Sequence, residues 1–181
     1  AGAVYNTLNG DSNVAFFKEY KNVGLTADTM PVVSVSIAEE EVGGVGVDNL
    51  VGQLAAWNYY QTIDSPANTT FVTAFKAKYG QDRVTSDPME AAYTSLFLWK
   101  AMVEKARSFT TDDVTNAADG VSVEAPEGTV TVNGENHHIA KTALIGKVAS
   151  DGLIYTEWSS GSPIEPDPFL AGYDWAEGLP G

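Results

Sequence analysis

The first part of the chain alternates between short apolar runs and a longer amphipathic stretch. Residues 3–7 are typical of a buried strand, and the β-branched residues of 31–35 indicate a second strand. Between them, Phe16 and Tyr20 lie one helical turn apart, and Gly24 suits the position after the last turn of a helix. A strand, a helix and a strand in about 35 residues predict one parallel βαβ unit.

The middle of the chain carries helical patterns. Residues 53–60 are apolar and aromatic and predict another strand, and helices are predicted over 68–80, 87–105 and 111–118. No strand lies between the first two of these helices, so we expect their apolar faces to pack against another chain, a second copy or each other. Those faces carry Phe71, Val72, Phe75 and Tyr79 on one helix, and Leu96, Trp99 and Val103 on the other.

Turn signals dominate the last third of the chain. Asn133-Gly134 lies between alternating apolar and polar residues, which predicts a β-hairpin, and Asp151-Gly152 predicts a second turn before an apolar run. Residues from 159 onward are rich in Pro and Gly and form a predicted tail. We therefore expect a small antiparallel unit at this end of the chain.

Composition excludes several classes of function. The chain has 181 residues, of which 44% are hydrophobic, and a net charge of −14, so nucleic acid is not an expected partner. It contains no cysteine, and His137 and His138 are adjacent, which in a strand would point them to opposite faces. We therefore expect no metal and no other cofactor.

Catalytic and phosphate-binding motifs are absent from the sequence. Residues 43–47 are glycine-rich but lack the spacing of a dinucleotide loop, and they predict a flexible segment instead. No P-loop, G-x-S-x-G or H-E-x-x-H motif occurs. We expect a protein that is not an enzyme.

Two loops that follow predicted strands are candidates for ligand binding. Asn9 and Gly10 precede a helix whose N–H groups suit a carbonyl oxygen, although ordinary helix capping is the alternative. Ser36, Ala38 and Glu39 follow the next strand, where a carboxylate could accept N–H groups of an amide or urea. The alternative for the glutamates is the first turn of a helix, which acidic side chains favour.

Several motifs together resemble the urea- and amide-binding branch of the type I periplasmic-binding-protein family. The resemblance covers nearly the whole chain but only the second half of the family protein. Its motifs are Ala125-Pro126-Glu127-Gly128, His137-His138, Asp151-Gly152, the run 59–66 before Phe71-Val72, the run 86–93, Leu98-Trp99-Lys100, Leu8-Asn9-Gly10 and 38–41.

The resemblance implies an α/β fold that is the C-terminal portion of a two-lobed protein. Residues 1–58 would belong to the second lobe, 59–120 would be a helical segment of the first lobe, 121–158 would return to the second lobe with the hairpin, and 159–181 would be the tail. The family's ligand sites match this sequence at Asn9, Gly10, Ser36, Ala38 and Glu39.

The resemblance also implies a function and partners. It implies a periplasmic or otherwise extracytoplasmic protein, made with a signal peptide, that delivers urea or a short-chain amide to an ABC permease. The missing first lobe or a second copy would be its structural partner. Alternatives are a cytoplasmic amide sensor of the same fold and a branched-chain amino-acid binding protein.

Overall fold

The structure, a computed structural model, describes residues 2–170 and 172–177. A five-stranded sheet has the order β1-β2-β3-β6-β7, in which β1, β2 and β3 are parallel and β6 and β7 are antiparallel to their neighbours. The carboxyl ends of the three parallel strands therefore lie at one edge. The strands are β1 (Val4–Asn6), β2 (Val32–Ser34), β3 (Leu54–Trp57), β6 (Leu144–Val148) and β7 (Ile154–Ser159).

Three helices cover this sheet and complete what we term the sheet lobe. They are α1 (Ser12–Asn22), α2 (Glu39–Val45) and α3 (Val47–Leu50). Apolar side chains of these helices meet the strands in one core, because each helix presents one apolar stripe to the sheet. The fully buried members include Phe17, Val32, Val42, Ala55, Tyr60 and Ile154.

The remaining elements form what we term the helical lobe. It contains α4 (Pro66–Tyr79), α5 (Asp87–Ala106), α6 (Thr111–Asn116), β4 (Ser122–Ala125) and β5 (Gly128–Thr131). Ser65 caps α4 by accepting a hydrogen bond from Asn68 N at 3.0 Å, and proline stands in the first turn of both α4 and α5. The three predicted helices of this region are therefore confirmed.

The predicted domain division is wrong for part of residues 121–158. Strands β4 and β5 pair only with each other within the described residues and pack on α5, in a cluster with Leu98, Ala118 and Val121. Only β6 and β7 return to the five-stranded sheet. The chain thus crosses back between the lobes within residues 133–143, because the apolar face of β4 and β5 is already buried against the helices.

The two predicted turns differ in outcome. Asp151-Gly152 lies in the turn between β6 and β7, where Asp151 Oδ1 accepts from Leu153 N at 2.9 Å. Asn133-Gly134 does not form a two-residue hairpin, since the chain reverses over residues 133–138 between the paired residues Val132 and Ile139. The β4–β5 turn is formed instead by residues 126–127.

Residues 43–47 are not a flexible segment. Gly43 and Gly44 lie inside α2, and Val42 and Val45 on the same helix are buried in the core. Burial of this apolar face outweighs the low helix propensity of glycine.

The predicted tail contains little regular structure in its described part. Ile164 bridges to Lys141, and a short 3₁₀ helix covers Asp174–Ala176. Residues 171 and 178–181 of this tail lie outside the described residues. Across the part of the chain that the structure describes, no helix combines the length and apolarity needed to cross a bilayer.

Candidate functional site

A buried polar network joins the carboxyl ends of β1 and β2 to helix α1. Asn6 Nδ2 donates to Asn13 Oδ1 at 2.8 Å and to Ser34 Oγ at 3.0 Å. All three residues are almost fully buried. Because buried amides and hydroxyls need hydrogen-bond partners, this network fixes how the strand ends meet the helix.

The same network holds the loop that follows β1. Leu8 N donates to Asn6 Oδ1 at 3.0 Å, and Leu8 O accepts from Asn13 Nδ2 at 2.9 Å and from Ser36 Oγ at 2.8 Å. The hydroxyl of Ser36, which follows β2, is thereby tied to the loop after β1. The structure thus brings together two segments that the sequence placed 28 positions apart.

Asn9 and Gly10 continue this loop on the exposed surface. Gly10 has φ of 59°, a left-handed conformation that glycine adopts without strain, and α1 begins two residues later. We call Asn9, Gly10 and Ser36 the polar shelf. It carries amide and hydroxyl groups at the N-terminal end of a helix, a setting suited to a carbonyl or carboxylate oxygen.

Ala38 and Glu39 do not belong to this exposed shelf. Ala38 is 1% exposed and its N–H donates to Glu41 Oε2 at 3.0 Å, while Glu39 is 2% exposed. Glu39 Oε1 accepts from Gln61 N at 2.7 Å. One oxygen of the carboxylate that the sequence assigned to a ligand is therefore bound to the backbone that leads out of the sheet lobe.

Burial also changes the ionisation of Glu39. Removal from water raises the pKa of this carboxyl to about 7, and the hydrogen bond from Gln61 N opposes that rise only in part. Glu39 Oε2 is buried without a hydrogen-bond partner among the described residues, where a negative charge is costly.

Asn58 is a functional candidate that sequence reasoning missed. Its N–H donates to Asp87 Oδ2 at 3.0 Å, and its Nδ2 donates to Thr142 O at 2.8 Å. Residue 58 begins the segment 58–65, which leads from β3 to α4, and it bonds to Thr142 in the returning segment 133–143. Asn58 therefore links the two segments that connect the lobes. The available signal was its place directly after β3, which matches the places of Asn9 and Ser36 after β1 and β2.

The comparisons with known proteins identify the family of the chain. The family described as "Periplasmic binding protein domain" matches residues 1–174. The chain belongs to the periplasmic binding protein family. Membership confirms the predicted α/β fold class.

Curated relatives of the chain carry two different names. "Leu/Ile/Val-binding protein homolog 6" of Brucella melitensis is 26% identical over 169 residues, which are 90% of this chain and 43% of that protein. A protein named "Limonene hydroxylase" from Geobacillus stearothermophilus is 29% identical over 126 residues, or 70% of this chain and 23% of that protein. The chain thus spans less than half the length of these relatives.

Solved structures with the same fold include solute-binding proteins. A solute-binding protein of an ABC transporter from Rhodopseudomonas palustris HaA2, in complex with p-hydroxybenzoic acid, is 26% identical with a TM-score of 0.77, over 94% of this chain and 48% of that one. A leucine-binding protein from Thermotoga maritima is 18% identical with a TM-score of 0.71, over 87% and 44% of the two chains.

An apolar groove lies on the helical lobe of this family member. It has a volume of about 700 Å³ and lies between α5, α6 and the loop after β5. Trp99 and Phe109 on its wall are 47% and 82% exposed. His137 and His138 both line this groove from a loop, so the expectation that a strand points them to opposite faces is wrong.

The predicted apolar faces of α4 and α5 meet only in part. Phe71 and Tyr93 are in ring contact at 4.7 Å, and Phe71 and Val103 are buried. Leu96 and Tyr79 remain 62% and 55% exposed. Within the described residues, no group of His, Cys, Asp and Glu side chains is arranged to hold a metal ion.

Proposed function

We propose that the chain is part of a solute-binding protein of an ABC importer, and that the solute is urea or a short-chain amide. The observation that carries the proposal is the polar shelf, in which the hydroxyl of Ser36 bonds to Leu8 O, directly before Asn9 and Gly10 at the start of α1. These positions are uncharged, and a neutral carbonyl compound needs no counter-charge. Ligands of open α/β sheets bind at this edge.

The wider role rests on the family. Its relatives include a protein named for binding leucine, isoleucine and valine and a solute-binding protein seen with p-hydroxybenzoic acid. We propose an extracytoplasmic, non-catalytic protein that presents its solute to a permease, together with a first lobe that covers the other side of the cleft. A branched-chain amino acid is the alternative solute, favoured by the name of the Brucella relative.

Calorimetry on the full-length protein that contains this chain would test the solute. The panel is urea, acetamide, leucine and 4-hydroxybenzoate, with recovery of each compound after incubation as the check for catalysis. We expect urea or acetamide to bind and to be recovered unchanged. Binding of leucine or 4-hydroxybenzoate without binding of the amides would contradict the proposed solute, and conversion of any compound would contradict a purely binding role.

Substitution of Ser36 tests the place of the site. We expect Ser36→Ala to weaken binding about tenfold, because it removes one hydrogen-bonding group and one of the two anchors of Leu8 O. Ser122→Ala is the matched control, since it removes an exposed hydroxyl from β4 in the helical lobe. Equal affinities of the two variants in the same titration would place the solute elsewhere.

The apolar groove gives a second prediction. We propose that the first lobe covers it, because a monomer rarely leaves a large apolar patch in water. We expect the 181-residue chain alone to bind a dye for apolar surfaces and to associate in sedimentation experiments. The protein that includes the first lobe should do neither, and a dye-free monomer of the chain alone would contradict the open groove.

A further inference from the structure

Two buried acids and one base meet where the helical lobe joins the connecting segments. Glu90 on α5 is fully buried, and Glu127 in the β4–β5 turn has 4% of its side chain exposed. Lys141, which precedes β6, places Nζ 2.8 Å from Glu127 Oε1 and has 18% of its side chain exposed. Three separate elements thus each contribute one charged group.

The hydrogen bonds of this cluster do not balance if both acids are ionised. Glu90 Oε1 accepts from Thr94 Oγ1 at 2.5 Å. Glu90 Oε2 is buried without a hydrogen-bond partner among the described residues, whereas Glu127 Oε1 has the Lys141 ammonium at 2.8 Å. An ionised carboxylate only accepts hydrogen bonds, so Glu90 Oε2 lacks a donor if both acids are ionised.

Within residues 2–170 and 172–177, the charges around these acids do not include a second cation. Glu90 and Glu127 interact electrostatically with each other, and both also interact with Lys141 and Asp87. Tyr59 interacts with Glu90 and Asp87. Glu39 adds a further carboxyl on the side of Tyr59. One ammonium group therefore faces several carboxyl groups in a site with little water, where an unpaired negative charge is costly.

We propose that Glu90 and Glu127 share one proton while Lys141 pairs with the carboxylate that remains, and that loss of this proton loosens the junction between the lobes. With the proton in place, one carboxyl donates to the other and the trio carries no net charge. Without it, two carboxylates repel each other across the contact between α5 and the β4–β5 turn.

Asn58 lies between the cluster and the segments that connect the lobes. Asp87, in the first turn of α5, accepts from Asn58 N, and Thr142, next to Lys141, accepts from Asn58 Nδ2. Asn58 thus bonds to the first turn of the helix that carries Glu90 and to the residue next to Lys141. Protonation of the cluster acts on the elements that a relative movement of the lobes must bend.

The direction of the pH effect follows from burial. Burial raises the pKa of Glu127 to about 7 and also raises the pKa of Glu90. Between pH 4.5, the ordinary value for glutamate, and about 7, the folded chain holds protons that the unfolded chain releases. The stabilising effect is thus complete below pH 4.5 and is lost as the pH rises through about 7.

Carbon NMR of the glutamate side-chain carboxyls in the full chain tests the shared proton. We expect one carboxyl of the Glu90–Glu127 pair to titrate near neutral pH. In Glu127→Gln the titration of Glu90 should fall by about one pH unit or more, because Lys141 then serves Glu90 alone. Glu157→Gln is the control, since Glu157 pairs with Lys147 on the exposed face of β7.

Ordinary titration of both Glu90 and Glu127 in the unsubstituted chain would overturn the shared proton, and this measurement needs no variant to fold. If Glu127→Gln does not fold, Glu90→Gln gives the reciprocal experiment, with the same expected fall for Glu127. An unchanged partner titration in the variant that folds would also overturn the proposal.

Hydrogen exchange tests the loosening. After correction for intrinsic rates, we expect protection of the amides in 128–131 to fall about tenfold between pH 6 and pH 8 in the unsubstituted chain. Glu127→Gln should show the same protection at both pH values. Equal protection at both pH values in the unsubstituted chain would contradict the loosening. Neither measurement uses a solute, so the result is independent of the proposed function.

Discussion

Replacement of Gly146 by alanine is expected to destabilise the sheet lobe by about 3 kcal/mol, the upper end of the usual overpacking effect. A Cβ at this position of β6 would lie 2.7 Å from Tyr60 Cζ and closer still to Ile154 Cγ2. Both neighbours are fully buried, and the Tyr60 hydroxyl is held by Ala55 O at 2.7 Å, so neither can move aside freely. Urea denaturation measures the loss.

The control for this experiment is a glycine whose replacement should raise the free energy of unfolding instead of lowering it. A Cβ at Gly43 in α2 would meet no atom within 4 Å, so Gly43→Ala should stabilise the chain by about 1 kcal/mol through helix propensity. Equal stability of Gly146→Ala and the unsubstituted chain would show that the core around Tyr60 is looser than described.

Replacement of Asn68 by alanine is expected to lower the free energy of unfolding by about 3 kcal/mol, and the melting temperature by about 9 °C. Asn68 is 2% exposed and donates to Gln61 O at 2.9 Å and Ile63 O at 2.7 Å. It also accepts from the Tyr59 hydroxyl at 2.7 Å. The substitution would leave the two carbonyls of the connecting segment buried without these donors.

Thr70→Ala is the matched control on the same helix. Thr70 is exposed and its hydroxyl bonds only to the backbone one turn earlier, so the change should lie within about 0.5 kcal/mol. Calorimetric melting of both variants compares them directly. If Asn68→Ala has the same melting temperature as Thr70→Ala, the stability of the connecting segment does not depend on the Asn68 amide.

Elements with a clear hydrophobic period were predictable from the sequence. The helix at 66–79 was predictable from Phe71, Phe75 and Tyr79, which recur at helical spacing. The helix at 87–106 was predictable from the stripe of Leu96, Trp99 and Val103. The strands at 4–6, 32–34 and 54–57 were found because each is a short apolar run between turn signals. In these elements the local pattern and the final structure agree because one face of each is buried and carries the apolar residues.

Helix α2 and the β4–β5 hairpin were not predictable in the same way. Glycine in α2 disfavours a helix, and the helix forms because Val42 and Val45 pack in the core. Asn133-Gly134 favours a tight turn, but the chain there must also connect the two lobes. Gly134 lies against Asp119, whose Oδ1 accepts from Gly134 N at 3.1 Å, a contact that no sequence period reveals.

The candidate site was predictable only as far as strand ends mark it. The positions of Asn9, Gly10 and Ser36 follow from the rule that ligands meet α/β sheets beyond the carboxyl ends of strands. The burial of Glu39 and the double role of Asn58 depend on contacts with Gln61, Asp87 and Thr142. Such contacts join distant segments, and a single sequence does not display them.

The route of the chain through the five-stranded sheet also constrains how the protein is made. Strand β6 lies beside β3, and the Tyr60 hydroxyl lies 3.4 Å from Leu144 O, 84 positions along the chain. The helical lobe is built entirely from the intervening sequence. During synthesis, the edge of β3 that pairs with β6 therefore stays open until the ribosome has released residues beyond 148. An open strand edge is a site of aggregation, and long-range pairing folds slowly. The edge of β3 is therefore the part of the sheet most open to incorrect pairing until β6 has been made.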